Sequence, residues 1–319
     1  MNAWATETTT IQRYLYREFC VGDECNLLNR DQAQAICQQI SKQLLQSGTS
    51  RNEVVAIFGD RGALSLLAAI GIMQAGAAFL ALDESTPDKE IQRRLDSISV
   101  KRTVCHEKHV ENLNRLNQGV KCIVIPESSL SSRTETGNST SSTAGPLVEI
   151  HSEDLAYVVF TSGTTGAAKP IGITHGNLCN YIHGITERLG GKGKLKDLNY
   201  MSVAGLSVDL GYTSVFLGLM FGSSIYLPGL LSARDPVKLA ELIHTAEIDV
   251  LKITPTHLAE ALKHSDICPT KYLVLGGEPF RLSLLEELRT RFPQLMIFNH
   301  YGPAETCVGL PVHELTIFH

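Results

Sequence analysis

Apolar residues along this chain recur in two rhythms, and the alternation of the two predicts its architecture. In RDQAQAICQQISKQLLQSG (30–48) they return every three or four residues and a glycine closes the run, which predicts a helix. EVVAIFG (53–59) is a short continuous apolar run and predicts a buried strand. LSLLAAIGIMQAG (64–76) then predicts a helix and AAFLAL (77–82) a strand, and DKEIQRRLDSI, RTVCH and KCIVIP repeat the unit. A second series follows through DLAYVVFTSG, NLCNYIHGITERL, LSVDLGYTSVFLGLMFGSSIYLP, DPVKLAELIHTAEIDVLKITP, KYLVLGG, SLLEELRTRFP and LMIFNHYG. Strands alternating with helices imply mostly parallel sheets covered by helices. The expected fold is therefore α/β, with two tandem, mostly parallel lobes. They span 1–126 and 148–319 and are joined by the Ser/Thr-rich stretch 127–147, whose composition packs no core.

Composition narrows the function classes. With 28 Lys+Arg against 33 Asp+Glu, the chain has a net charge of −5 and no basic block, which argues against nucleic-acid binding. ALSLLAAIGIMQAGAAFLAL (63–82) contains glycines and resolves as helix plus strand, so no membrane span is expected. The first residues lack a basic region followed by an apolar core, so a cytoplasmic location is expected. The eight cysteines form no CxxC pair and are read as reduced thiols. The sequon at Asn138 is read as chance, and His175 and His183 lack a third ligand nearby, so no zinc site is expected.

The stretch YVVFTSGTTGAAKPIGITHGNL (157–178) carries the strongest chemical signal. A strand leads into glycines and hydroxyl residues beside one lysine. Glycines let a backbone approach an anion, and Ser and Thr hydroxyls donate to phosphate oxygens. The Walker pattern fails, because Gly163 and Gly166 are too close together and no Ser or Thr follows Lys169. A plain Gly/Thr turn is the alternative on this stretch alone.

The loop Thr161–Ser162–Gly163–Thr164–Thr165–Gly166 resembles the phosphate-binding signature of the adenylate-forming superfamily. That superfamily includes acyl-CoA synthetases and the adenylation domains of nonribosomal peptide synthetases. THGNL (174–178), MQAGAAFLALDESTP (73–87), LGGEPF (275–280) and NHYGPAE (299–305) resemble further family motifs in the same order, so the likeness covers nearly the whole chain. Two departures stand out: Ala168–Lys169–Pro170 replaces Pro-Lys-Gly, and Ala304 replaces a threonine. The resemblance implies ATP and Mg²⁺ as ligands and catalytic roles for Thr165, Lys169 and Glu305, with Glu305 on the metal. It implies nucleotide contacts from Thr161 to Gly166 and from Gly277, Glu278, Pro279, Asn299, Tyr301 and Gly302, with Tyr301 stacking on adenine.

Amino-acid-activating members of the family place an aspartate against the substrate's ammonium group, and Asp209 in SVDLGYTSVF matches it. The family's pocket positions fall on Asp209, Leu210, Thr213, Lys252, Val274, Gly276, His300, Val308 and Gly309, a string that resembles aspartate-activating domains. Physical chemistry points the same way. Lys252 interrupts the apolar run IDVLKITP, where a buried ammonium needs an anionic partner. A ligand carboxylate is one such partner; an internal acid or a path to solvent is the alternative.

The resemblance also implies parts not encoded here: a small β-rich subdomain and a mobile C-terminal domain with a catalytic lysine. The expected function is thus a truncated core that binds ATP and L-aspartate, slowed in aspartyl-AMP formation by that absence. Its expected partners are the missing C-terminal subdomain, neighbouring synthetase modules and a carrier protein bearing phosphopantetheine. A noncatalytic binding module, a split-domain partner or an acyl-CoA/acyl-AMP ligase fragment are the alternatives, and Asp209 and Lys252 weigh against the last.

Overall fold

The computed structural model describes residues 11, 15, 20–22, 27–83, 85–116, 119–126, 148–161, 168–309 and 312–315. The linker 127–147 lies outside the described residues. In chain order the strands are β1 (Cys20–Gly22), β2 (Leu27–Leu28), β3 (Val54–Gly59), β4 (Ala78–Asp83), β5 (Arg102–His106), β6 (Lys121–Ile125) and β7 (Leu155–Thr161). They continue with β8 (Lys169–Thr174), β9 (Asn199–Ser202), β10 (Ser224–Tyr226), β11 (Val250–Ile253), β12 (Tyr272–Gly276), β13 (Met296–His300) and β14 (Val312–Glu314).

One sheet has the order β6-β5-β3-β4-β7-β8, the other β14-β13-β12-β11-β9-β10-β1-β2. Both are parallel inside, with antiparallel strands only at edges: β8 on the first, β14 and β2 on the second. The mixed α/β fold with parallel-dominated sheets is the expected class. Strand membership, however, crosses the expected boundary at 127–147. The hairpin β7–β8 completes the first sheet and β1–β2 edges the second. Pairing partners are set by where buried faces meet, which chain order does not record.

Alternate side chains of each strand serve different cores. Val55 and Ile57 of β3 join Val250, Val274 and Phe298 of the second sheet in one cluster between the sheets, while Ala56 and Phe58 face an outer one. On the other side, Leu251, Ile253, Leu273 and Leu275 pack under the second sheet's outer helices. Between the sheets lie α1 (Ala63–Gln74) and α3 (Tyr212–Phe221), every residue of which is buried. A helix apolar on all sides has no solvent face, and these two serve as the central filling.

Helix α2 (His175–Arg188) starts where the sequence places it. Thr174 and Asn177 form a reciprocal capping box, with Asn177 N–H donating to the Thr174 hydroxyl at 3.1 Å. The strand β7 entering the Gly/Thr loop is tied at its start by Asp154. Its buried carboxylate accepts from Arg51 Nε at 2.5 Å, His151 N–H at 2.8 Å and Asn52 Nδ2 at 3.2 Å.

Candidate functional site

The carboxyl ends of β9, β11, β12 and β13 converge on one polar cluster. Register puts Lys252 opposite Val274 and Ser202, Val274 opposite Phe298, and Gly276 opposite His300. With Val250, Val274 and Phe298 turned into the inter-sheet layer, the two-residue period turns Lys252, Gly276 and His300 the same way. Lys252 is fully buried and its Nζ lies 2.8 Å from His300 Nδ1. It reaches that atom diagonally, across the strand between them, because Gly276 has no side chain to block the path.

A Cβ built at Gly276 would lie 2.8 Å from Lys252 Nζ and 2.3 Å from the His300 carbonyl oxygen. The backbone oxygen cannot yield as a side-chain tip can. Gly276→Ala is therefore expected to destabilise the fold by about 1–3 kcal/mol through overpacking. A chemical-denaturation midpoint unchanged from wild type would refute that geometry.

Asp209 enters from the loop after β9, on a single 3₁₀ turn, Asp209–Gly211, that runs into α3. Burial raises its carboxyl pKa, opposed by a hydrogen bond from Val308 N–H and by the charge of Lys252. Its Oδ2 and the His300 Nε2 are both buried and have no hydrogen-bond partner among the described residues. Lys252 is drawn down to about 7 by burial, against the pull of Asp209. Burial, and then the charge of Lys252, bring His300 down to about 3.

The far wall is a strained turn. Cys307 and Val308 have φ of 58° and 63°, a left-handed conformation unfavourable for a β-branched residue. Gly309 N–H donates to the Cys307 carbonyl at 2.7 Å, and the Val308 N–H faces Asp209. Gly309 sits against His300 Nε2, where an added Cβ would be 2.5 Å away. Gly302 in turn touches Gly309, since a Cβ there would fall 1.8 Å from the Gly309 Cα. The segment 302–309 thus folds back on itself to close the cluster.

Of the residues singled out in the sequence, Asp209, Thr213, Lys252, Val274, Gly276, His300, Val308 and Gly309 lie on or beside this cluster. Leu210 lies over Gly277, with Cδ1 3.2 Å from a Cβ built there. Tyr301 is 71% exposed, and Glu305 is exposed on the 3₁₀ turn Ala304–Thr306. Thr161 ends β7 and Lys169 begins β8, its side chain exposed. Ser162, Gly163, Thr164, Thr165 and Gly166 lie outside the described residues.

Glu278 and Pro279 point to different surroundings. Glu278 accepts from Thr256 N–H at 3.0 Å and so caps the helix Pro255–Leu262. Pro279 lines a separate cavity of about 350 Å³ with Thr256, Glu260 and Arg281, which shares no lining residue with the Asp209 cluster.

Sequence reasoning missed three supporting residues. Tyr181 lies beside His300, ring centroids 5.8 Å apart, and its hydroxyl is 2.7 Å from Thr213 Oγ1. Tyr157 of β7 approaches Cys307 Sγ at 3.7 Å and meets Tyr212 edge-on at 4.9 Å, which links the first sheet to the pocket wall. In sequence these tyrosines belong to ordinary apolar periodicities, so no local signal separates them from core.

The cluster thus gathers one carboxylate, one amine and one imidazole in a buried place. The sequence profile described as AMP-binding enzyme matches residues 8–317, and the chain belongs to that family. Surfactin synthase subunit 2 of Bacillus subtilis (strain 168) is 31% identical over 290 residues, covering 89% of this chain and 8% of that protein. Bacitracin synthase 3 of Bacillus licheniformis is 28% identical over 280 residues, covering 86% of this chain and 4% of that protein. The chain thus spans less than a tenth of the length of these two relatives.

Among solved structures, the nonribosomal peptide synthetase FmoA3 (S1046A) bound to alpha-methyl-L-serine-AMP superposes with a TM-score of 0.81 at 21% identity, covering 97% of this chain and 34% of that one. VinN in complex with L-aspartate gives 0.77 at 17% identity, covering 96% and 78%. The fold is that of the N-terminal core of synthetase adenylation domains. No helix among the described residues is long and apolar enough to cross a membrane.

Proposed function

We propose that this chain is the nucleotide- and amino-acid-binding core of an adenylation domain, and that its amino acid is L-aspartate. The observation that carries the reading is Lys252, a fully buried amine-bearing side chain that hydrogen-bonds a histidine. Charge in such a place needs an anion, and the Asp209 carboxylate is already engaged by Val308 N–H. An α-amino acid with a short acidic side chain satisfies both ends at once: its ammonium meets Asp209 Oδ2, and its side-chain carboxylate meets Lys252 and His300 Nε2. The likeness in fold to VinN, solved with L-aspartate, is in keeping with this reading.

For the nucleotide, the exposed ring of Tyr301 offers a face for adenine, and the backbone at Gly277, with φ of 82°, opens close approach. The hydroxyl-rich loop after Thr161, with Lys169, would hold phosphates. Glu305 is a hard oxygen donor of the kind Mg²⁺ takes, and the metal would arrive with ATP and neutralise phosphate charge. The proposed reaction is attack of the substrate α-carboxylate oxygen on the α-phosphorus of ATP, with pyrophosphate leaving. Transfer of the aspartyl group to the phosphopantetheine thiol of a carrier protein is the step proposed to follow, with neighbouring modules as partners.

ATP/pyrophosphate exchange, measured with and without an adenylation C-terminal domain added in trans, tests the assignment. Aspartate is expected to exceed asparagine by about 100-fold or more, because an amide leaves Lys252 unpaired, whereas glutamate suffers a loss of roughly 10-fold or more from its extra methylene. Asp209→Asn is expected to cut kcat/KM for aspartate by about 100-fold by removing the charge that meets the ammonium. Exchange driven by asparagine or a fatty acid in preference to aspartate would overturn the substrate; unchanged kinetics in Asp209→Asn would overturn that residue's role.

A further inference from the structure

We infer that the Lys252–His300 pair is uncharged in the free protein above neutral pH and takes up one proton when a side-chain carboxylate enters, so that recognition of an acidic amino acid is coupled to protonation. This rests on the aspartate reading above and adds a property to it.

Geometry is the first support. Lys252 Nζ and His300 Nδ1 share one hydrogen bond at 2.8 Å, which a neutral amine can donate to a neutral imidazole with no charge on either group. Both side chains are at most 2% exposed, so no water shell pays for a charge on either. His300 Nε2 faces the Gly309 backbone with no partner among the described residues.

The groups around the pair do not supply a proton in its place. From the 3₁₀ turn comes Asp209, whose carboxylate is the one anion acting on Lys252 among the described residues. Helix α2 presents Tyr181, bonded to Thr213 of α3, and burial raises its hydroxyl far above the working range. The strained turn presents Cys307, pushed up to about 12, and beyond it Glu305, exposed to solvent. Strand β9 offers Ser202, which donates to the Ala204 carbonyl, and β12 offers only Val274 and Gly276. Tyr157 and Tyr212, behind Asp209, are also held protonated by burial. With Lys252 brought to about 7 and His300 to about 3, Lys252 is the group that changes charge near neutrality.

The linkage follows directly. Below about pH 7 the ammonium is already present and aspartate binds without proton uptake. Above it, each unit of pH weakens binding tenfold, because a proton must be drawn from solution with the ligand. Isothermal titration calorimetry of the whole chain with aspartate, in buffers of different ionisation enthalpy, reads the number of protons taken up.

The expected result is close to one proton at about pH 8 and close to none at about pH 6. Lys252→Arg, whose guanidinium stays charged, is expected to bind aspartate with no uptake and no change in Kd between those pH values. His300→Asn, which keeps an acceptor near the Nδ1 position, is expected to retain the uptake. Aspartate binding without uptake at about pH 8 would overturn the coupling and leave the substrate assignment standing. Absence of aspartate binding at either pH would remove the assignment and the coupling together. Uptake retained in Lys252→Arg, or lost in His300→Asn, would show that the proton goes elsewhere.

Discussion

Lys252→Met is expected to make the protein more stable and aspartate recognition worse, two opposite effects from one buried side chain. In the folded chain Lys252 is drawn from its ordinary 10.5 to about 7, so between those values the unfolded state binds the proton more tightly. Stability therefore rises as pH goes from about 7 to 10.5, and at pH 7 and below the folded state carries the full burden of the buried charge. Replacing buried ionic groups by apolar ones of similar volume stabilises proteins by about 1–4 kcal/mol. Part of that gain is offset because His300 Nδ1 loses its one bond, which costs about 1 kcal/mol or more.

A net gain of about 1 kcal/mol, or roughly 2 °C in melting temperature, is the expected outcome at pH 7. It should shrink as pH rises from 7 and level off only above about 10.5, where wild-type Lys252 is neutral in both states. The same substitution removes the positive end of the pocket, so aspartate-dependent exchange is expected to fall by about 100-fold or more while the KM for ATP stays within about twofold. Lower stability at pH 7 together with full exchange activity would contradict both halves of this account.

Acid is expected to begin destabilising the chain well above the pH at which its carboxylates titrate. His106 and His175 are each brought down to about 4 by burial, and His300 to about 3. Below about 6.5 the unfolded chain takes up protons on all three that the folded chain refuses. The stability present above 6.5 is then lost progressively as pH falls toward 4, by on the order of 2–3 kcal/mol for each histidine. Three such losses rival the whole 5–15 kcal/mol of a typical fold.

Acids with lowered values, the buried Asp83 and Asp154 and the part-buried Asp249, lose their contribution only as pH drops below 3.8, so the two windows separate. A urea midpoint that falls steeply between pH 6.5 and 4.5 is expected, and His106→Gln should make the fall shallower. A flat midpoint over that interval would show that the histidines are charged, or hydrated, in the folded state.

Much of the architecture is legible in the pattern of apolar residues, and its failures have specific causes. Strand β8, KPIGIT, escapes a periodicity reading because it is an edge strand carrying Pro170 and Gly172, with only Ile173 buried. The Gly/Thr segment reads in sequence as leading from a strand toward a helix. In the structure the described residues on either side of it, Thr161 and Lys169, lie on an antiparallel pair, β7 and β8, and the helix follows the second of these strands. The exchange of β1–β2 and β7–β8 between sheets was equally invisible, since neither segment's composition names its neighbour.

Within the pocket, the anomaly of Lys252 in an apolar strand can be seen from the sequence alone, because a buried ammonium contradicts its surroundings wherever the chain goes. Helix and strand periods, the capping box at Thr174 and the odd charge at Lys252 are local properties, carried by neighbours within a few residues, and these the sequence determined. Only the tertiary structure decided that Lys252 bonds His300 across Gly276, and that Asp209 meets the strained turn at Val308. It also decided that Tyr181 and Tyr157 support the wall. Those contacts join residues far apart in the chain, 48 positions for Lys252 and His300, and strand register together with the packing of two sheets on shared helices sets such distances.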